Sequence, residues 1–369
     1  MRPATIRYLR RRDRFDGLRA VRRIHHDCRS MNRIRLSILD QSPIISGHSA
    51  TQAIAETIKL AQAADELGYH RYWLAEHHSL LALADPCPEI LVTRVAAATS
   101  RIRVGTGGVM LPYYSALKVA EQFRMLEALF PQRIDLGIGR APGGDQTTAM
   151  AMGDGRYPGA DDFPEQMRSL VGYIDDALPA DHPYAKVKAQ PAGPTAPEVW
   201  LLGSSDYSGA LASQLGLRFA FANFISADGG DVVMREYKRT FRPSAREDRA
   251  HSMLAVFVIC AATDAEAERR AASVDLRRLN TDYGINTPVP TQREAEARSY
   301  NEAERGRIAY HRRRAVLGSP DTVKARLLEL VERFEADELM VITITGDYAT
   351  RLESYRLLAQ SFDLCQPGA

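Results

Sequence analysis

Short apolar runs recur along the chain, and each ends in glycine, polar or charged residues. Runs of this kind, bounded by turn residues, are typical of buried β-strands. Eight of them predict strands at residues 34–40, 71–76, 101–111, 133–139, 198–202, 218–224, 253–261 and 338–345.

Between these runs, apolar residues recur three and four positions apart, which indicates amphipathic helices. After the first strand, Ser49 and Gln52 have the spacing of a capping box, and Gly68 has the place of a helix stop. Further helices are predicted near residues 88–99, 117–130, 206–215 and 264–279, from residue 320, and near 349–361.

Strict alternation of strand and helix implies parallel strands joined by right-handed crossovers. Eight such units over residues 32–369 fit an α/β fold, a (β/α)8 TIM barrel with insertions, in one domain. Two stretches, 141–165 and 281–315, look irregular, and such loops are usually lids or disordered segments. In the second, Arg312, Arg313 and Arg314 suggest either a phosphate contact or a solvated charged face.

The overall charge of +2 hides a strong asymmetry. Residues 1–30 hold ten arginines and three aspartates, so this segment carries 10 − 3 = +7 and the remainder 2 − 7 = −5. We expect residues 1–31 to be a disordered basic extension, or the start to lie at Met31, with nucleic-acid binding or transit as the other readings. The acidic body argues against nucleic acid as the main partner.

Composition places the chain among ordinary globular enzymes, with 45% hydrophobic and 25% charged residues. Its apolar runs are too short to cross a bilayer, so we expect no membrane partner. The four scattered cysteines form no CxxC pair and suggest no metal site, and we expect a cytoplasmic location.

The second predicted strand ends in Glu76, His77 and His78. Side chains of adjacent strand residues point in opposite directions, so one histidine at most would face the barrel mouth. An inward histidine suits acid–base chemistry near neutral pH, although a structural hydrogen bond is an equally good reading. Glu76 would orient this histidine or simply form an ion pair.

Two further strand ends suggest a ligand. The glycines at 105, 107 and 108 indicate a bulge, a packing bend or the close approach of a flat ligand, without matching a dinucleotide fingerprint. Arg140 would need an anionic partner if buried, and Ser204, Ser205 and Ser208 begin a helix, where phosphate binds. Ordinary capping by Ser205 is the alternative.

These motifs together resemble the bacterial luciferase-like monooxygenase superfamily, closest to the alkanal monooxygenase alpha-chain type. The resemblance runs from about residue 33 to 361. It rests on the stretches Trp73-Leu-Ala-Glu-His-His78, 104–112, 133–140, 199–205, 318–327 and 336–341.

The resemblance implies a TIM barrel that binds reduced FMN, activates O2 as a flavin C4a-peroxide and oxidises a small organic substrate. His77 matches the catalytic histidine, with Glu76 beside it. Gly107 and Gly108 match a strand bulge under the isoalloxazine, often built on a non-prolyl cis peptide. Arg140, Ser205 and Ser208 match phosphate-binding positions.

Two residues depart from the luciferase alpha chain. Ser204, within the phosphate segment, replaces an acidic residue, and Gly139 replaces a reactive cysteine. These departures argue against light emission and long-chain aldehyde specificity, but not against flavin binding.

The resemblance also implies partners. Reduced FMN would come from a separate flavin reductase, and the early helices would form a homodimer. Two alternatives remain open: a hydride-transferring oxidoreductase that uses F420, and a non-catalytic flavoprotein that carries FMN.

Overall fold

A closed ring of eight parallel strands forms the centre of the molecule. The computed structural model describes residues 34–140, 143–155, 162–226 and 228–364. In this part of the chain the strands are β1 (Arg35–Asp40), β2 (Arg71–Leu74), β3 (Arg103–Met110), β4 (Ile134–Gly139), β5 (Glu198–Gly203), β6 (Arg218–Ala222), β7 (Ser252–Cys260), β8 (Ala315–Gly318) and β9 (Glu338–Ile342). Strand β1 pairs with β2 and β9, and β6 pairs with β7, which closes the ring and confirms the predicted (β/α)8 barrel.

The ninth strand, β8, lies outside the ring and pairs with the last residues of β7. It belongs to an insertion between β7 and β9. The described helices are α1 (Ala50–Leu67), α2 (Pro88–Ala98), α3 (Ala116–Leu129), α4 (Gln146–Met152), α5 (Phe163–Ile174), α6 (Asp206–Leu215), α7 (Gly230–Thr240), α8 (Asp264–Asp282), α9 (Gln292–Glu296), α10 (Glu302–Arg312), α11 (Pro320–Phe334) and α12 (Tyr348–Ser361).

Local sequence signals set the ends of α1. The Ser49 side chain accepts a hydrogen bond from the backbone N–H of Gln52, and Gly68 ends the helix with φ +84°. A left-handed conformation at this position favours glycine, because a Cβ would clash with the backbone. The return bond of a full capping box, from the Gln52 side chain, is absent in the described structure.

Alternate strand residues pack into two separate cores. Ile38 and Leu74 belong to the layer between barrel and helices, whereas Leu39 and Trp73 belong to the cluster inside the barrel. This alternation is the geometric consequence of the strand repeat of two. Inside the barrel Trp73 meets Trp200 edge to face, with ring centroids 5.4 Å apart.

A buried ion network closes the amino-terminal end of the barrel. Arg71 contacts Asp135 at 2.8 Å, Glu198 at 2.7 Å and Glu338 at 3.0 Å. Because Arg71 is about 1% exposed, loss of one partner would leave an uncompensated buried charge, at a cost of roughly 3–5 kcal/mol. The amino-terminal end of the barrel therefore stabilises the fold, and we expect the active site at the carboxyl ends of the strands.

The two stretches predicted to be irregular contain helices, so that prediction is wrong. Residues 141–165 include α4 and the start of α5, and residues 281–315 include the end of α8, with α9 and α10. Helices α9 and α10 each begin with a full capping box, at Thr291 with Glu294 and at Asn301 with Glu304. Their surfaces are mostly charged, and so they lack the apolar stripe that reveals a packed helix.

The predicted basic extension, residues 1–31, lies outside the described residues, as do parts of the stretch 141–165. Within the described ranges, no helix combines the length and the apolar character needed to cross a bilayer.

Candidate active site

A cavity of about 480 Å³ opens at the carboxyl ends of the barrel strands, called here the mouth. Active sites of TIM barrels lie at this end, because the strand ends converge there. All of the site residues proposed from the sequence line the cavity. Its described walls are formed by Leu39, Gln41, Trp73, Ala75, Glu76, His77, Gly107, Gly108, Met110, Pro112, Tyr113, Gly139, Arg140, Leu202, Gly203, Ser204, Ser205, Ser208, Ala220, Ala222, Phe224, Ile225, Ala255 and Met340.

His77 and His78 have different surroundings. His77 lines the cavity, and its backbone N–H donates to the carbonyl of Asp85 at 3.1 Å. His78 turns to Glu76, with Nε2 at 2.7 Å from Oε1. Strand alternation does not cause this difference, because β2 ends at Leu74 and both histidines lie in the loop after it. The geometric premise of the sequence prediction is therefore wrong.

The imidazole of His77 is held neutral. Burial, helped by the positive charge of Arg277, lowers the pKa of His77 to about 4, and the backbone of Ala75 offsets this in part. Its Nδ1 is buried and makes no hydrogen bond of normal geometry to another described residue. At pH 7 the ring can therefore accept a proton or offer one N–H group, but carries no charge.

Glu76 acts as an anchor between two strand ends. Its carboxylate accepts hydrogen bonds from the backbone N–H of Met110 at 2.9 Å, the hydroxyl of Tyr114 at 2.7 Å and Nε2 of His78. The side chain is about 1% exposed, so these donors replace its hydration. Glu76 orients His78 rather than His77, contrary to one of the two sequence interpretations.

Gly107 and Gly108 form a wall without side chains. The peptide bond between them is cis, and the pairing of β3 with β4 shifts register after Gly107. A Cβ on Gly107 would lie 2.6 Å from Cδ1 of Leu39, and one on Gly108 would lie 2.7 Å from the carbonyl of Gly137. Glycine is therefore required at 108, where a Cβ would meet backbone, whereas a Cβ at 107 would displace the side chain of Leu39. Both glycines line the cavity with backbone atoms alone.

Arg140 is exposed at the mouth, not buried as the sequence interpretation assumed. The carboxyl end of β4 opens to solvent, and the guanidinium lies over the ring of Tyr207, 4.2 Å from the centroid. Within the described ranges no carboxylate lies within ion-pair distance of it. Arg140 is thus available for an anion without loss of an internal partner.

The three serines lie at the start of α6. Ser205 is the N-cap residue, but its side chain makes no capping bond, so the structural alternative considered for it is wrong. Ser208 is buried and lies so close to Gly203 that a Cβ there would meet Oγ of Ser208 at 2.2 Å. Helix N-termini favour anions through free N–H groups and the helix dipole. Asp206, in the first turn of α6, weakens that field.

These residues fit a cofactor that has both a flavin ring and a phosphate group, such as FMN, for two reasons. The glycine wall admits a flat ring, because no side chain projects from it. The serines and Arg140 offer hydroxyls, a helix N-terminus and a guanidinium to one anion. Since both features line the same cavity, one ligand with a planar ring and a phosphate satisfies both.

Several lining residues had no place in the sequence prediction. Gln41 follows β1, Tyr113 follows β3 in a 3-10 turn, and Phe224 and Ile225 follow β6. Their position directly after a strand was the available signal, because every such position faces the mouth. Tyr113 also meets His78 edge to face, with centroids 6.2 Å apart.

The three arginines near residue 313 serve structural contacts. Arg312 pairs with Asp275 and Glu268, Arg313 with Asp228, and Arg314 donates to the carbonyl of Ile225. The reading of this run as a phosphate contact is therefore wrong.

The closed barrel, with its cavity at the carboxyl ends of the strands, has the architecture of a TIM-barrel enzyme. The chain belongs to a family of this class: the model of the luciferase-like monooxygenases matches residues 34–337. It is 46% identical over 330 residues to "Uncharacterized protein YwcH" of Bacillus subtilis (strain 168), covering 89% of this chain and 99% of that one. It is 37% identical over 331 residues to the N-acetyl-S-alkylcysteine monooxygenase of the same organism, covering 89% and 98%.

Solved structures share the fold. Apo-MsnO8 superposes with a TM-score of 0.82 at 38% identity, covering 90% of this chain and 100% of that one. The oxygenating constituent of 3,6-diketocamphane monooxygenase from Pseudomonas putida, in complex with FMN, has a TM-score of 0.66 at 19% identity, covering 89% and 97%. An F420-dependent secondary alcohol dehydrogenase has a TM-score of 0.65 at 10% identity, covering 89% and 99%. The fold alone therefore does not choose between FMN and F420.

Proposed function

We propose that this monooxygenase uses reduced FMN and O2 to oxidise a small organic molecule in the mouth cavity. One observation supports the proposal most strongly: the glycine wall and the residues proposed to bind an anion line the same cavity. When bound, reduced FMN supplies the electrons that activate O2 for transfer of an oxygen atom to the substrate. The alternatives, F420-dependent hydride transfer and non-catalytic FMN binding, have no specific feature of the cavity in their favour.

The anion site would hold the FMN phosphate. Arg140 would donate charge-assisted hydrogen bonds, and the hydroxyls of Ser204, Ser205 and Ser208 would share its oxygens with the N-terminus of α6. Asp206 already accepts a hydrogen bond from the N–H of Tyr207 at 2.8 Å, so its carboxylate is turned toward the helix backbone.

Gly107 and Gly108 would face the ring, because their backbone is the flat part of the cavity wall. His77 would act on the reacting centre as a neutral acid–base group or hydrogen-bond donor. Glu76 would act through position alone, since its hydrogen bonds to Met110 and Tyr114 fix the loop that carries His77.

The proposal includes two protein partners. A separate flavin reductase would supply reduced FMN, since the sequence has no obvious nicotinamide-binding fingerprint of its own. A second copy of the chain would cover a groove between α2 and α3, where Ile90, Met125 and Leu129 are 68%, 52% and 55% exposed. We further propose a cytoplasmic location, on cysteine usage alone.

Paired titrations test the function. We expect FMN to bind more tightly than riboflavin or F420, and we expect protein loaded with reduced FMN to consume O2 with formation of oxygenated product when substrate is supplied. Tighter binding of F420 would favour hydride transfer. Tight FMN binding without oxygenated product from a broad substrate panel would favour a carrier.

A further inference from the structure

Helix α8 lies with one face against the interior of the barrel, and that face ends in arginine. Ala267, Ala271 and Val274 are buried in the inner cluster. Residues three and four positions beyond Val274 lie on the same face, and these are Arg277 and Arg278. The two arginines therefore continue, toward the carboxyl end of α8, the face that packs on the inner cluster.

This end of α8 is at the mouth. The segment that follows α8 is tied to the loops after β1 and β2: Asn286 accepts from the N–H of Leu81 and donates to the carbonyl of Ser79, both at 2.8 Å. Val289 exchanges backbone hydrogen bonds of 2.8 Å with the segment at Ile44 and Ser46. The carboxyl end of α8 thus lies over the loops that carry the active-site residues.

Arg277 has no counter-charge in the described structure. The acidic residues on its own helix are engaged elsewhere, Asp275 by Arg312 and Asp282 by Arg307. Arg277 as a residue is half-buried, and burial alone lowers the pKa of Arg277 to about 10. A cation held out of water without a partner is costly, unless an anion joins it during function.

Arg277 lies one turn after Val274, which shares the inner cluster with Trp73 and Ala75, two residues that line the cavity. Its charge contributes, after burial, to the lowered pKa of His77, which lines the cavity. Arg278 differs: its guanidinium lies over the ring of Phe257, 4.7 Å from the centroid, and donates to the carbonyl of His311. Arg277 is therefore the arginine of this pair that is free to bind a ligand.

We propose that Arg277 binds the carboxylate of the organic substrate and so places the substrate beside His77. The planar guanidinium offers two parallel N–H groups, which match a carboxylate. This inference rests on the proposed function, since it names the chemical class of the substrate. The substrate is then an organic acid whose oxidised atom lies at a distance from the carboxylate.

The flavin phosphate is the competing anion, and the topology separates the two. Arg140, Ser205 and Ser208 follow β4 and β5, whereas Arg277 belongs to the insertion after β7. Since β4 and β5 are separated from β7 by β6 on one side of the ring, the two anion sites arise from different parts of the mouth. This separation favours a second anion at Arg277 over a shared contact with the phosphate.

Two probes of the same chain length and similar shape test the proposal: hexanoate, which carries an anionic carboxylate, and hexanamide, which carries a neutral amide. Each is titrated into protein loaded with oxidised FMN, and into protein without FMN, with the ¹³C-labelled imidazole of His77 as the NMR signal. We expect hexanoate to bind the wild type in preference to hexanamide. In Arg277→Gln we expect hexanoate to bind about 10- to 100-fold more weakly, with hexanamide unchanged, as for loss of one charge-assisted contact. Arg305→Gln, which removes an exposed charge from α10, should match the wild type.

The titrations separate this inference from the proposed function. Equal binding of both probes, no binding of hexanoate by the wild type, or an equal loss in Arg277→Gln and Arg305→Gln would overturn it. A loss of FMN affinity in Arg277→Gln without any effect on hexanoate would assign this arginine to the cofactor and also overturn it. Failure of FMN to bind the wild type would overturn the proposed function. The titration of protein without FMN would still show whether Arg277 binds hexanoate.

Discussion

Among single residues, neighbouring side chains at the mouth have different roles. His77 lines the cavity as a neutral imidazole, whereas His78 is held by Glu76 away from it. The sequence could place both histidines after a strand but could not distinguish them by alternation, because β2 ends at Leu74. Their roles should separate by mutation.

We expect replacement of His77 and of His78 by alanine to reduce activity to different extents. We expect His77→Ala to slow substrate oxidation about 100-fold or more, since a positioned acid–base group contributes on that scale, with FMN affinity unchanged. His78→Ala should cost far less activity, because Glu76 retains its hydrogen bonds to Met110 and Tyr114. Steady-state rates and FMN titrations decide this. Similar losses in both variants would contradict the assignment.

Arg140 offers a second test at this scale. We expect Arg140→Ala to weaken FMN binding by about 1–2 kcal/mol, less than for a fully buried pair, because solvent screens an exposed contact. Riboflavin, which lacks the phosphate, should bind both proteins equally in a fluorescence titration. An FMN dissociation constant that is the same in Arg140→Ala and wild type would place the phosphate elsewhere.

Among the elements, the insertion between β7 and β9, called here the roof, is held against the loops that follow β1 and β2. Its helices α9 and α10 start with capping boxes, and ion pairs such as Asp282 with Arg307 link α8 to α10. Asn286 ties the roof to the loop after β2 through two hydrogen bonds of 2.8 Å.

Limited proteolysis measures how firmly the roof is held. We expect Asn286→Ala to speed cleavage between residues 283 and 291 several-fold, because both bonds to the loop after β2 are lost. Cleavage in the loop at residues 176–197 should not change. FMN and substrate together should slow the cleavage in wild type. Identical cleavage of Asn286→Ala and wild type would show that these bonds do not restrain the segment.

Elements with a clear apolar pattern could be predicted from the sequence, and short or mostly charged elements could not. The eight barrel strands could be predicted, since their apolar runs and turn residues are explicit, and the shared strand ends then brought Arg140 and Ser205 into one cavity. Strand β8 has four residues, and α9 and α10 are mostly charged, so periodicity gave no signal for them. The sequence carried no signal for Arg277, because its proposed role rests on a tertiary feature, the lack of an acidic partner among the described residues.

At the scale of the whole molecule, buried histidines make stability depend on pH. Burial lowers the pKa of both His70 and His77 to about 4, against 6.5 in an unfolded chain. Between these values the unfolded chain binds more protons, so the free energy of unfolding falls as pH drops from about 6.5 to 4.

The variant His77→Gln isolates one of these groups. We expect the loss of unfolding free energy between pH 7 and pH 5 to be about 1–2 kcal/mol smaller than in wild type. Urea denaturation at the two pH values measures it, with the exposed His48→Gln as control. An unchanged pH dependence in His77→Gln would mean that its pKa is not lowered by folding.

Assembly is the second property at this scale. We expect Met125→Glu, alone or with Leu129→Glu, to convert a dimer to a monomer in sedimentation, because a charge in an apolar interface stays desolvated. Val232→Glu, at a position of α7 that is 60% exposed, is the matched control and should remain a dimer. A wild-type monomer, or a dimer that tolerates both changes, would refute the α2–α3 groove as the interface.

A crystal structure of the FMN complex would show whether the mouth cavity holds FMN in the proposed orientation. We expect the flavin ring against the backbone of Gly107 and Gly108, the phosphate within hydrogen-bond distance of Arg140, Ser205 and Ser208, and His77 facing the ring. A flavin bound outside the mouth, or one whose phosphate lies away from Arg140 and the start of α6, would contradict this expectation.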